Sequence, residues 1–157
     1  MQTATIHDLK KELGALPPSA LVEACLRLAK YKKENKELLT YLLFEAHDPA
    51  GYMEGVKAEI REGMKEVSSQ AYLMKKMLRK ILRGTNKYIR YASSKEVEVE
   101  LLLYFCAQVR ADKVPIHRSP QMVNLFEQQL KKIRKALAAL HEDLQYDYER
   151  RLRALED

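Results

Sequence analysis

Apolar side chains recur three and four positions apart along most of the chain, the spacing that gathers them on one face of an α-helix. Thr5 followed by Asp8 has the form of a capping box, and Gly14 closes a short first helix. Pro17, Pro18 and Ser19 open a second, with Leu21, Val22, Cys25, Leu26, Leu28 and Ala29 as its apolar positions. The polar stretch from Lys32 to Lys36 reads as a break. A third helix carries Leu38, Leu39, Leu42, Leu43 and Ala46 and stops at Asp48-Pro49, because a residue before proline avoids the α region.

A fourth helix is predicted from Ala50 to Val67, weakened by Gly51, Gly55 and Gly63. Ser68 or Ser69 caps a fifth, which runs to Arg83, or to Tyr91 if Gly84-Thr85-Asn86 does not interrupt it. Ser93 with Glu96 caps a sixth, ending near Arg110. Within it Val97-Glu98-Val99-Glu100-Leu101 alternates like a strand, but the cap and the lack of any partner strand favour helix. Ser119-Pro120 starts a last helix. No Gly or Pro follows it, so residues 120–156 are predicted as one rod roughly 55 Å long.

This pattern predicts an all-α fold of about seven helices in a single domain, residues 1–157. The arrangement is either stacked antiparallel helical hairpins, possible as a HEAT-like repeat, or an irregular bundle with a long C-terminal helix. The repeat reading rests on Glu37-Leu38-Leu39-Thr40-Tyr41-Leu42-Leu43, which resembles Glu100-Leu101-Leu102-Leu103-Tyr104-Phe105-Cys106 at an offset of 63. In the last helix Phe126, Leu130, Ile133, Leu137, Leu140 and Leu144 form a heptad seam that Tyr148, Leu152 and Leu155 extend. That seam serves either the domain's own core or a homodimer through the C-terminal helix.

Charge changes the picture most. The chain holds 28 Lys and Arg against 22 Asp and Glu, a net charge of +6. No acidic residue lies between Glu66 and Glu96, where Lys75, Lys76, Arg79, Lys80, Arg83, Lys87, Arg90 and Lys95 occur. These eight exceed the net charge of the whole chain, so the excess is local. At helical pitch the seven from Lys75 to Arg90 fall within a ~140° arc, with Tyr72 near its middle. Met74, Met77, Leu78, Ile81, Leu82, Tyr88 and Ile89 take the other side. If Gly84 broke the helix, Lys87 and Arg90 would leave this frame. A helix evolved only for stability would gain ~0.3–0.5 kcal/mol from each i,i+4 Glu–Lys pair, and this one forgoes them.

A concentrated basic stripe attracts polyanions, since neutralised phosphates release counterions. The sequence therefore points to a non-catalytic interaction module that binds an acidic protein partner or polyanion through Lys75, Lys76, Arg79, Lys80, Arg83, Lys87, Arg90 and Tyr72. Direct DNA or RNA binding through the same stripe is the alternative, and an enzyme with a site assembled across helices is the third reading. Chemistry has little to stand on. His7, His47, His117 and His141 lack metal-ligand spacing, and Glu45-Ala46-His47-Asp48 is the densest group of candidate ligands, sitting where a helix end explains it. No phosphate-cradling glycine loop or nucleophile elbow occurs, so no catalytic residue, metal or cofactor is assigned. Charged residues interrupt the first twenty positions, and the longest apolar run, Leu101 to Ala107, is too short to cross a bilayer. Cys25 and Cys106 both lie in apolar stretches and read as buried reduced thiols, which places the expected location in the cytoplasm.

Overall fold

The computed structural model describes residues 1–156, which form eight α-helices and, among the described residues, no strand. The chain divides into two compact units, Met1–Phe44 and the remainder from Glu45 onward. No helix is long and apolar enough to cross a membrane.

In the first unit, α1 (Ile6–Ala15) starts at the Thr5–Asp8 capping box. Thr5 Oγ1 accepts from the Asp8 amide at 3.2 Å, and the Thr5 amide donates to the Asp8 carboxylate at 3.3 Å. Two further helices, α2 (Pro18–Tyr31) and α3 (Lys33–Thr40), pack as a hairpin. The break between them is the single extended residue Lys32, because α3 resumes at Lys33. Asn35 Nδ2 donates to the Leu28 carbonyl at 2.8 Å and staples the hairpin across this corner. A π-helical turn, Tyr41–Glu45, follows α3. Ala29 is the one buried residue of these three helices. Cys25 is exposed, contrary to its apolar sequence setting, because the helix that packs closely on α2 is the short α3.

The second unit is built around α6 (Lys95–Ala111), which packs against α4 (Pro49–Lys65), α5 (Ala71–Ala92), α7 (Pro120–Leu137) and α8 (Glu142–Glu156). Being covered on several sides, α6 is apolar nearly all round. Val97, Val99, Leu101, Leu102, Leu103, Phe105, Cys106 and Val109 are all buried. That explains the strand-like alternation at its start: both odd and even positions meet neighbours. Its cap is Ser94, whose Oγ accepts from the Val97 amide at 3.4 Å. Ser93, the expected cap, instead ends α5 in the left-handed region, with φ 49°. Gln70, and neither Ser68 nor Ser69, stands at the N-cap of α5.

Residues 120–156 do not form one rod. The chain turns at residues 138–141 and α8 folds back on α7 and α6. No Gly or Pro marks the reversal; side-chain bonds to freed backbone groups hold it. Gln145 Nε2 donates to the Leu140 carbonyl at 2.7 Å, and His141 Nδ1 accepts from the Asp143 amide at 3.3 Å. Folding back buries Tyr148, Leu152 and Leu155, while Phe126, Leu130, Ile133 and Leu137 are buried from α7. Those seven seam residues are used within the unit's own core, while Leu140 at the turn is half-buried and Leu144 is exposed.

Of the four glycines in α4 and α5, Gly55 and Gly84 differ from Gly63 in a testable way. An added Cβ at Gly55 or Gly84 meets nothing within 4 Å, whereas at Gly63 it would lie 2.8 Å from Ile81 Cγ1. Gly55→Ala and Gly84→Ala are expected to stabilise by about 0.5–1 kcal/mol each through helix propensity. Gly63→Ala gains the same propensity but drives a methyl between α4 and α5, where overpacking costs about 1–3 kcal/mol. Thermal melts of the three variants check this; a Gly63→Ala midpoint rising with the other two would contradict the close approach of α4 and α5.

Candidate functional site

Helix α5 runs 22 residues without interruption through Gly84-Thr85-Asn86. The glycine costs about 1 kcal/mol of propensity, which burial of the helix's apolar face outweighs. Met74, Leu78, Leu82 and Thr85 form a continuous buried stripe across that point. Thr85 Oγ1 donates to the Ile81 carbonyl at 2.9 Å, so its hydroxyl is satisfied inside the helix. Two tyrosines lock α5 to α4: Tyr52 Oη donates to the Tyr88 carbonyl at 2.8 Å, and Tyr88 Oη donates to Glu59 at 2.8 Å.

With the helix unbroken, Lys87 and Arg90 stay in frame with the residues before Gly84. Lys76, Arg79, Lys80, Arg83 and Arg90 are exposed, and Lys75 and Lys87 are half-exposed. From Lys75 to Arg90 the row is roughly 22 Å long at 1.5 Å per residue. Among the described residues no carboxylate pairs with Lys75, Lys76, Arg79, Lys80, Arg83 or Arg90. The Lys87 ammonium lies 5.1 Å from the Tyr88 ring centroid. Tyr72 is 71 % exposed in the same row, its ring free to stack. Lys95 belongs to α6 and is bound to Glu98 at 2.8 Å, so it adds less charge than its sequence position suggested.

At the C-terminal end of the stripe an open cleft of about 740 Å³ lies along the α5–α6 turn. Arg90, Lys95 and Lys132 line it, with Asn86, Ser93 and Glu98. Lys132 comes from α7 and carries positive charge beyond α5. Its signal in the sequence is the basic run Lys131-Lys132-Ile133-Arg134-Lys135. A groove of about 300 Å³ between α7 and α8 has its charges paired instead, Arg134 with Glu156 and Arg153 with Glu149.

A second charged cluster, which the sequence reading missed, lies inside the bundle. Glu100 of α6 is 8 % exposed and accepts two bonds from Arg151 of α8, at 2.6 and 3.1 Å, and one from Lys57 of α4 at 2.8 Å. Burial alone would raise the Glu100 pKa; the hydrogen bonds and charges of Arg151 and Lys57 overcome it and bring the pKa down to about 2. Burial, then the negative charge of Glu100, pushes the nearby Tyr148 phenol up to about 12. The carboxylate is held by two fixed cations and stays ionised at neutral pH. The triad ties α4, α6 and α8 together. Its sequence signal was a pair of acidic residues, Glu98 and Glu100, at the start of the otherwise apolar stretch of Val97 to Ala107.

Three other candidate residues, Asp48, His141 and Cys106, have structural roles. Asp48 caps α4, accepting from the Gly51 amide at 3.0 Å. His141 serves the turn before α8. Cys106 is buried, and that burial raises its thiol pKa to about 12, which keeps it protonated. No three His, Cys, Asp or Glu side chains among the described residues come together as a metal site would need. Comparison with models of known protein families, with curated proteins and with solved structures finds no match to this chain.

Proposed function

We propose that this chain is a non-catalytic interaction module whose α5 face binds an acidic partner or polyanion. One observation carries the reading: six basic side chains share one face of an unbroken helix, and no carboxylate among the described residues neutralises them. Like charges this close repel, and a counter-charge on a partner relieves that repulsion while releasing bound ions. Lys95 and Lys132 extend the field to the cleft at the end of the row.

Exposed Tyr72 favours nucleic acid within this class. A tyrosine ring among cations suits a stacked base flanked by phosphates, and base–aromatic stacking contributes about 1–3 kcal/mol per base. Fluorescence anisotropy with labelled single- and double-stranded DNA and RNA tests both levels. Wild type is expected to bind near physiological salt, and Lys76→Glu/Arg79→Glu/Arg83→Glu to fail. Tyr72→Ala is expected to weaken single strands about tenfold and duplexes hardly at all. Equal, low-salt binding of every polymer by wild type and the triple variant would remove the nucleic-acid reading. The stripe would then be a docking face for an acidic protein.

A further inference from the structure

We infer that the α5 stripe is the first part of a longer track, which turns through the cleft beside the α5–α6 turn onto α7 and takes a single-stranded nucleic acid. The inference rests on the polyanion reading of α5 and names the polymer that fits it. Tyr72, Lys76, Arg79, Arg83, Asn86 and Arg90 follow one another at alternating steps of four and three, so they form a single line along α5. The last two members of that line are also walls of the cleft of about 740 Å³. Helix α5 ends two residues later at Ala92, and Ser93, in the left-handed region, turns the chain toward α6. The line of cations therefore leads into the cleft.

Beyond Arg90 the positive charge continues on other helices. Lys95 of α6 and Lys132 of α7 line the cleft as well. Glu98 is there too and is paired with Lys95 at 2.8 Å. Lys135 follows Lys132 three residues on, which makes the two neighbours on the surface of α7. Both are exposed, and among the described residues neither pairs with a carboxylate. Arg134 between them is held by Glu156 and does not belong to the track.

Shape and chemistry select the polymer. A duplex is stiff over roughly 150 base pairs, so it stays on the straight row of α5. A single strand bends between nucleotides and follows the turn. Its unpaired bases present their hydrogen-bonding edges. The cleft meets them with Asn86 and Ser93, an amide and a hydroxyl that each donate and accept. Its volume falls within the range of about 300–1,000 Å³ found for small-molecule sites, which is room for a nucleotide. An acidic peptide tract brings carboxylates for the cations but no base to stack on Tyr72.

Fluorescence anisotropy with labelled oligothymidylates of about 4 to 16 nucleotides, beside a duplex, tests this across a salt series. Wild-type affinity for single strands is expected to rise through the length series. Lys132→Gln/Lys135→Gln is expected to weaken the longest strand at least ~fivefold, with a salt slope shallower by about 1.4, two contacts at about 0.7 each. The same variant is expected to leave the shortest strand and the duplex almost unchanged, whereas Lys76→Glu/Arg79→Glu/Arg83→Glu weakens all three. Wild-type binding of the longest strand that the α7 variant leaves intact, or that it weakens no more than the duplex, would overturn the track and leave α5 as the whole site. Equal affinity for poly-glutamate, equally sensitive to the α7 variant, would overturn the choice of a nucleic-acid strand. Binding of no polymer by wild type would overturn the reading of α5 itself, and the track with it.

Discussion

Glu100→Ala is expected to cost the fold on the order of 3 kcal/mol, because it leaves two cations facing each other beside the core. For a helical unit of this size that lowers the melting midpoint by about 10 °C or more. The asymmetry of the triad sets the order of effects. Lys57→Met leaves the two-bonded Arg151–Glu100 pair in place and is expected to cost less than half as much. The pH dependence follows from the lowered pKa. An unfolded glutamate titrates near 4.5 and the folded Glu100 near 2, so its contribution is complete above about pH 4.5 and disappears as pH falls through about 2. The advantage of wild type over Glu100→Gln in thermal melts is therefore expected to be constant at pH 5–7 and to shrink between pH 4.5 and 2. An advantage that grows on acidification would contradict the ion triad.

The second large effect is at the surface. Reversing Lys76, Arg79 and Arg83 removes three cations and installs three anions within two turns of α5. Binding to a phosphate polymer near physiological salt is expected to fall at least ~100-fold, and the loss to shrink as salt is raised. The three positions are exposed and unpaired, so the variant is expected to melt within about 1 °C of wild type or slightly above it, since mutual repulsion is relieved. Full binding by a folded triple variant would move the interface off α5.

Much of this was legible along the chain because helical periodicity and the absence of acidic residues between Glu66 and Glu96 are local signals. What was not legible depends on packing. The fold-back at residues 138–141 has no glycine or proline; it occurs because burying Tyr148, Leu152 and Leu155 outweighs one break in an otherwise good helix. Cys25 and Cys106 sit in similar sequence surroundings, yet one is exposed and the other buried, because α6 packs closely against four helices and α2 closely against the short α3. Glu100 stood in a strand-like alternation with no sign of a buried role; its partners lie 43 and 51 residues away. The stripe itself could be read, but its continuity could not: whether Gly84 stops a helix is decided by the core stripe that crosses it.

The most direct test of the central claim is the salt dependence of wild-type affinity for one labelled DNA duplex. Engagement of the five exposed cations of α5 gives a slope of log affinity against log salt near −4 to −5, at about −0.9 per phosphate neutralised. The triple variant is expected to retain a slope about three shallower. A wild-type slope between 0 and −1, unchanged in the variant, would contradict a polyanion-binding face on α5.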